Sequence, residues 1–250
     1  MINKNYNKKR YMELLKKKDH SLERLKYSCM VTNYLDWQGR QGYLELLEKF
    51  QKGTMEDYLF YFAMYERNLL IDDIRSRLES NLIVLPLKYN KDFSDKFDYL
   101  MDICTDYIDI DFEYENTMVE RRDWVQKIYF QIQEILKDDD TTTFKNFTEL
   151  VDQLNWEIKD QYFMLIESFL DESINFLNLK KKSEAVIEIA KEFELNSIIL
   201  KPTYQALGFS NFIHILIQLF DRYQANPEMS PKLFKYWVRK ILLEMKNHYS

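Results

Sequence analysis

Acidic residues crowd one short stretch of this chain, and they are the residues best suited to chemistry. Across the stretch, five carboxylates alternate with apolar and aromatic residues: Asp106, Asp109, Asp111, Glu113 and Glu115. Carboxylates in such a pattern serve as metal ligands, as general acids and bases, or as an anionic surface for a basic partner. The span 98–123 carries nine acidic and two basic residues, a formal charge of −7.

The stretch only faintly resembles a calcium-binding loop. Asp109, Asp111, Glu113 and Glu120 have the spacing of EF-hand positions 1, 3, 5 and 12. Tyr114 stands where the sharp turn of that loop needs glycine. The sequence therefore predicts no metal site.

Common catalytic motifs do not occur in the sequence. It has no Gly-rich phosphate loop, no H-E-x-x-H, no Cys/His ligand spacing and no G-x-S-x-G. Of the three histidines, His214 lies in an apolar run, 212–216, where a core or interface role is expected. We expect no enzyme, no catalytic residue and no cofactor, and keep a carboxylate-dependent enzyme as an alternative.

The chain contains an internal repeat. Four blocks recur in the same order, at offsets of 119, 115, 116 and 113 residues: 35–50 with 154–169, 81–85 with 196–200, 93–107 with 209–223, and 124–128 with 237–241. Such an order predicts two copies of one domain. We therefore divide the chain into a basic N-terminal arm or helix at 1–32, repeats at 33–137 and 152–250, and a linker at 138–151.

The acidic stretch belongs to one repeat only. The second repeat has the shorter and nearly uncharged segment 224–230 at the same place. A segment needed for folding should recur in both, so we interpret Asp106 to Glu115 as an anionic surface for a basic partner. The alternative is a solvated loop before a helix N-terminus, where acidic residues are favourable in any protein.

Long helices with few breaks are expected throughout. Only four Gly and four Pro occur in 250 residues, which favours an all-α fold of two tandem four-helix bundle-like repeats preceded by a basic N-terminal helix. In the first repeat the predicted helices are 41–52, ended by Gly53; 54–78, capped by Thr54; 93–107; and 117–136, opened by a capping box at Thr117. Pro86 predicts an extended or short irregular crossing at 81–85, and Ser230 followed by Pro231 predicts the start of the last helix.

The block W-V-x-K-I closes both repeats. Trp124, Ile128 and Ile132 are spaced as one helix face, and Trp237, Ile241 and Met245 repeat the pattern. We predict that both tryptophans are packing anchors in the core. A paired aromatic recognition site is the alternative.

The N-terminal 26 residues carry a formal charge of +6. They are interpreted either as an arm that touches an anionic partner or as a solvated amphipathic helix whose apolar face includes Leu14, Leu15, Leu22 and Leu25. Cys29 and Cys104 are expected to be reduced thiols. With neither a signal peptide nor a membrane span in the sequence, we expect a cytoplasmic protein, with the plastid stroma as alternative.

The order of elements resembles a known family. The string 43–50, then Gly53, a charged helix from Met55, a third helix, an acidic loop and a final helix from Arg121 are similar to bacterial self-protective colicin-like immunity proteins, which resemble the inhibitor of the tRNA-cleaving colicin D. The resemblance covers roughly 41–136. It implies a small helical bundle that blocks a cytotoxic nuclease through acidic side chains, here Asp109, Asp111, Glu113 and Glu115.

Two functions follow as hypotheses. The first is a non-enzymatic inhibitor or immunity-like module that binds a basic, nuclease-like protein. The second is a scaffold or accessory subunit of a larger ribonucleoprotein assembly, in which the basic N-terminal arm contacts RNA. Neither hypothesis involves a membrane, and the oligomeric state is not predicted.

Overall fold

The chain is all-α, as predicted from the sequence. The computed structural model describes residues 6–109, 115–137, 147–172, 175–200, 203–226 and 228–249. Within those ranges it has eleven α-helices, a short 3-10 helix at Tyr204–Ala206 and no strand. The α-helices are α1 (Lys8–Lys16), α2 (Leu22–Gln38), α3 (Arg40–Gln51), α4 (Asp57–Ser80), α5 (Lys91–Asp109), α6 (Glu115–Leu136), α7 (Phe147–Glu157), α8 (Lys159–Leu170), α9 (Leu177–Leu195), α10 (Phe209–Ala225) and α11 (Pro231–Tyr249).

The helices form two compact units whose membership does not follow the two halves of the chain. The first unit comprises Met1–Ser80, Leu85–Thr142 and Leu195–Ile199. The second comprises Asn81–Val84, Thr143–Glu194 and Leu200–Ser250. Each unit therefore includes a short segment from the far part of the sequence, and these segments belong to the repeated blocks at 81–85 and 196–200.

In the first unit, the basic N-terminal segment is a packed pair of helices. Helix α1 packs on α2 and buries Leu14 and Leu15. The prediction that Leu22 and Leu25 share this apolar face is wrong, since they are 66% and 58% exposed. A turn at Lys18, with φ of 51°, ends α1 and shifts the helical phase of α2 relative to α1. Helix α2 runs on to Gln38, so the predicted boundary at residue 32 falls inside a helix.

Several predicted helix ends are confirmed and two are wrong. Gly53 follows α3 with φ of 67°, and α11 begins at Pro231 with the Ser230 hydroxyl accepting a hydrogen bond from the Leu233 N–H at 3.2 Å. Thr54, however, does not cap α4: its hydroxyl donates to the Lys49 carbonyl at 2.9 Å and so closes α3. Helix α6 begins at Glu115, two residues before the predicted cap at Thr117.

Arg67 holds the distant segment of the first unit. The guanidinium of this α4 residue donates from Nη2 to the carbonyls of Gly39 at 2.8 Å and Asn196 at 2.7 Å. The Ile199 N–H donates to the Gln38 carbonyl at 3.1 Å. A short segment with few backbone bonds of its own is thus fixed by a charged donor, and hydrogen bonds to charged groups are stronger than neutral ones.

In the second unit Lys182, at the position equivalent to Arg67, holds the distant segment at Asn81. Lys182 precedes Asn196 by fourteen residues, as Arg67 precedes Asn81. Its ammonium donates to the Asn81 carbonyl, and the Gln161 amide donates to the Leu82 carbonyl at 2.7 Å. Burial lowers the pKa of Lys182 to about 8.

The two segments also share a backbone feature. Leu82 and Ser197 occupy equivalent positions, each directly after its asparagine, and have φ of 55° and 53°. Left-handed backbone is uncommon for residues other than glycine and is kept only where the surroundings impose it. The 81–85 and 196–200 blocks are non-helical as predicted from the prolines.

Replacing Arg67 by methionine should destabilise the first unit by about 2–3 kcal/mol, because two carbonyls lose a charged donor. Urea unfolding followed by circular dichroism measures this. Arg77→Met is the matched control, since Arg77 lies on the same helix in an exposed pair with Asp73; its cost should stay below about 1 kcal/mol. Equal losses in both variants would contradict the anchoring role.

Candidate protein-binding surface

Helix α5 separates an apolar side from an acidic one. Its buried side includes Phe93, Phe97, Leu100 and Cys104, and the thiol of Cys104 has its pKa raised to about 12 by burial. The opposite side exposes four carboxylates that we call the acidic face: Asp95, Asp98, Asp102 and Asp106. Spacings of three and four residues place successive carboxylates one turn apart on a helix.

The acidic face carries concentrated negative charge. The pKa of the Asp98 carboxyl is raised, first by partial burial and then by the charges of Asp95 and Asp102. Among the described residues, no salt bridge pairs any of the four carboxylates with a basic side chain. Such a surface favours a partner that brings cations to it.

The structure places the five predicted site residues unequally. Asp106 lies on the acidic face. Asp109 ends α5 and Glu115 begins α6, with side chains outside the described part of the structure. Asp111 and Glu113, and with them most of the faint EF-hand spacing, lie outside the described residues.

Sequence reasoning missed the rest of the acidic face. Asp95, Asp98 and Asp102 share one helix side with Asp106, and their regular spacing within a predicted helix was the available signal. The acidic composition of the stretch does not reveal which side of a helix a carboxylate occupies.

The tryptophans of W-V-x-K-I are not core anchors, so that prediction is wrong. Trp124 is 46% exposed, whereas the adjacent Val125 is fully buried. The second unit repeats the contrast, with Trp237 40% exposed and Val238 fully buried. Val125, Ile128 and Ile132 form the buried stripe, and a tryptophan one position earlier is rotated about 100° from it.

Trp124 extends the acidic face with an aromatic edge. Its ring packs edge to face against Tyr99 of α5 with 6.0 Å between centroids. The Lys127 ammonium lies 4.7 Å from the centroid of the Trp124 ring. Tyr99 is also exposed and shares the helix side of the four carboxylates. Exposed Trp and Tyr are the residues most enriched among the strong contacts of protein interfaces.

The second unit repeats this arrangement with other charges. Lys240 lies 5.3 Å from the centroid of the Trp237 ring. His214, expected in a core or interface, is exposed on α10, where its Nε2 lies 2.7 Å from the Gln218 amide nitrogen. A groove of about 280 Å³ separates Trp237 and Lys240 from α10.

A buried carboxyl group lies in the core of the first unit. Asp36 is 2% exposed and accepts a hydrogen bond from the Tyr43 hydroxyl at 2.7 Å. Burial raises the pKa of Asp36, the Tyr43 hydrogen bond lowers it and the charge of Asp98 raises it; the resulting pKa is about 7. In the second unit the equivalent pair is neutral, because Asn155 takes the place of the carboxyl group. The Tyr162 hydroxyl donates a hydrogen bond to the Asn155 side-chain carbonyl at 2.6 Å.

A polar groove of about 500 Å³ separates α2 from α4. Glu79, one of two carboxylates in its lining, accepts hydrogen bonds from Tyr11 at 2.7 Å and Arg75 at 2.9 Å. It also pairs with Arg24 at 3.2 Å. Burial raises the pKa of Glu79, but these hydrogen bonds lower it by more, so that the net shift is downward. The network links α1, α2 and α4, and its charged groups pair with one another.

No group of three or more His, Cys, Asp or Glu side chains in the described residues is arranged to hold a metal ion. The helices of the described ranges also include none long and apolar enough to cross a membrane. Cys29 and Cys104 are free thiols. Comparison with protein-family models, curated proteins and solved structures finds no match to this chain.

Val125→Ala should lower the free energy of unfolding by about 1–3 kcal/mol, because it leaves a cavity in the core. Trp124→Ala should cost less than about 1 kcal/mol despite the larger deletion, since the indole is half exposed. Urea midpoints measure both. Val238→Ala and Trp237→Ala form the matched pair in the second unit, and a larger loss for either tryptophan would contradict the assignment.

Asp36→Asn should stabilise the protein increasingly as pH rises. A carboxyl whose pKa rises from 3.8 when unfolded to about 7 when folded contributes most below pH 3.8, and the contribution is lost as pH rises to about 7. The loss is about 1.4 kcal/mol per pH unit at its steepest. Urea unfolding between pH 4.5 and 8 measures it, on the range set by these pKa values.

The asparagine variant lacks this titration, so its advantage should grow across the range and level off above pH 7. Asp73→Asn, at an exposed carboxyl of α4 paired with Arg77, is the control, and its stability should stay within about 1 kcal/mol of the parent protein at every pH. Parallel profiles for the parent and Asp36→Asn would show that folding does not raise the pKa of Asp36.

Proposed function

We propose that this protein is a non-enzymatic binding module, of the inhibitor or immunity type, whose acidic face binds a basic, nuclease-like partner. The observation that carries the proposal is the set of four exposed carboxylates on one side of α5 beside the exposed Tyr99 and Trp124. Charge and aromatic anchors together are the features of a specific protein interface.

The charge pattern favours a nucleic-acid-binding protein as the partner. Carboxylates one helical turn apart, about 5–6 Å between Cβ atoms, present a row of negative charge. A nuclease binds a row of phosphates through Lys and Arg. An acidic helix can therefore occupy such a site in place of its substrate, and complementary charge also accelerates the encounter.

The presence of the acidic face in only one unit supports a role outside the fold. At the positions of Asp98, Asp102 and Asp106 the second unit has His214, Gln218 and Arg222. Both helices keep the buried side, because Leu100 and the equivalent Leu216 are fully buried. The carboxylates are therefore not required by the packing.

The resemblance to colicin-like immunity proteins agrees with this proposal on the helical fold and on the sign of the charge. It assigned the acidic role to residues 109–115. The structure adds Asp95, Asp98 and Asp102 as candidates.

An accessory subunit that binds RNA is the second candidate. Exposed lysines at the end of α1, Lys16, Lys17 and Lys18, provide a basic patch. Its helix is packed on α2 and linked to Glu79 through Tyr11, so the basic residues form a fixed patch. RNA retention by the full chain that disappears on changing these three lysines to glutamate would favour this candidate over the first.

Charge reversal of the acidic face tests the proposal. The triple variant Asp98→Lys, Asp102→Lys, Asp106→Lys should weaken binding to a basic nuclease domain of the tRNA-cleaving toxin type by at least about a hundredfold, as complementary charges become repulsive. Calorimetry at two salt concentrations measures it. Binding by the parent should weaken as salt increases.

The control variant changes net charge equally but elsewhere. Glu66→Lys, Glu184→Lys, Glu194→Lys alters three exposed carboxylates outside the acidic face and should retain binding within a few fold. If both triple variants bind alike, the acidic face is not the binding surface. Trp124→Ala should also weaken binding while the protein stays folded, because the indole would be an anchor of the interface.

A further inference from the structure

The exposed side of α10 and α11 is a second version of the α5 and α6 surface. Ile215 occupies the position equivalent to Tyr99, at an offset of 116 residues. Trp237 and Lys240 occupy the positions equivalent to Trp124 and Lys127, at an offset of 113. All of these side chains are exposed in α5, α6, α10 and α11. The duplication has kept an aromatic and a lysine on the outside of both units, where packing does not require them.

The two surfaces carry opposite charge. Eight residues line the groove in the second unit, and their charged members Arg222, Lys240 and Glu244 sum to +1. The equivalent eight positions of the first unit include Asp102, Asp106 and Lys127, which sum to −1. We call the surface of Ile215, Leu219, Arg222, Trp237, Lys240 and Ile241 the basic groove.

The basic groove suits a protein surface better than a small molecule. Its volume of about 280 Å³ is at the lower end of the roughly 300–1,000 Å³ typical of small-ligand pockets. Apolar side chains, with Trp237 and Ile215 both exposed, line it between two cations. A matching partner has an exposed aromatic group flanked by carboxylates.

The acidic face of this same chain meets that description. It places Tyr99 between Asp98 and Asp102 in sequence and adjoins Trp124. We propose that the basic groove of one molecule docks the acidic face of a second copy, with Asp102 and Asp106 opposite Arg222 and Lys240, and Tyr99 against Ile215 and Trp237.

The association joins two different surfaces, so each molecule keeps one acidic face or one basic groove open for the next. It also occupies the acidic face, and in this respect the proposal rests on the proposed function: self-association and a basic partner compete for the same carboxylates. A basic partner would therefore dissociate the self-associated protein. In the absence of that partner, self-association would leave less acidic surface exposed.

Sedimentation of two complementary variants tests the proposal. Arg222→Asp, Lys240→Asp removes the basic groove and keeps the acidic face; Asp102→Lys, Asp106→Lys does the reverse. The parent should show a mass that rises with concentration from micromolar to millimolar at low salt and falls to that of one chain at high salt. Each variant alone should remain a single chain at every concentration.

An equal mixture of the two variants is the decisive measurement. It contains one intact acidic face and one intact basic groove, so it should form a complex of two chains and nothing larger. Failure of the mixture to associate, or a parent protein that remains a single chain throughout, overturns the proposal. All changes are at exposed positions, and unfolding curves matching the parent confirm that the variants are folded.

The outcome is separable from that of the proposed function. Arg222→Asp, Lys240→Asp leaves the acidic face unchanged and should bind the basic nuclease domain at least as tightly as the parent does, because no second copy competes for the carboxylates. If that binding persists while self-association is absent, only the docking proposal fails. If self-association occurs and nuclease binding does not, the acidic face serves the chain's own assembly and the proposed function fails.

Discussion

Each unit depends on one cation that holds a backbone carbonyl from a distant part of the sequence. In the first unit this is Arg67, which bonds both Gly39 and Asn196. Gly42 makes room for it, because a Cβ there would lie 2.3 Å from the Arg67 Cζ. In the second unit Gln161 replaces that glycine and bonds the Leu82 carbonyl. Both units thus hold the carbonyls of a distant segment by hydrogen bonds, but the donors differ. The donor is a guanidinium in the first unit, and an ammonium and an amide in the second.

The same constraint explains which residues differ between the two units. Arg67 lies 4.6 Å from the centroid of the Tyr43 ring, and Tyr43 bonds Asp36, so the core and the segment are linked through one side chain. Outside that core, α5 and α10 keep their buried sides and differ in charge. The two helices therefore differ mainly on their exposed sides, and this difference is the basis on which we propose binding at the exposed sides of α5 and α10.

The sequence predicted what depends on local chemistry. Helices such as α3 and α5 were located within a few residues because apolar periodicity and Gly53 mark them, and Pro86 marked the non-helical crossing.

Prediction from the sequence failed where the phase of a helix or a contact between distant residues decides which side chains are buried. Trp124 and Val125 are neighbours, and only three-dimensional packing determines that the smaller residue is buried. The placement of 195–199 with α2 and α4 depends on a hydrogen bond spanning 129 residues, which no local pattern reveals. Asp98 and Asp102 lie within the strongly acidic span 98–123, but only the structure shows that they share the exposed side of α5.

The distant segment also sets an order of events during synthesis. The first unit contains Leu195–Ile199, yet the rest of it ends at Thr142. The 57 residues from Thr143 to Ile199 must be added before that unit has all of its parts. At typical synthesis rates of about 5–20 residues per second, this takes roughly 3–11 s. During that interval Arg67 has only the Gly39 carbonyl of its two acceptors available. The nascent first unit therefore remains incomplete until a segment encoded after about half of the second unit has been synthesised.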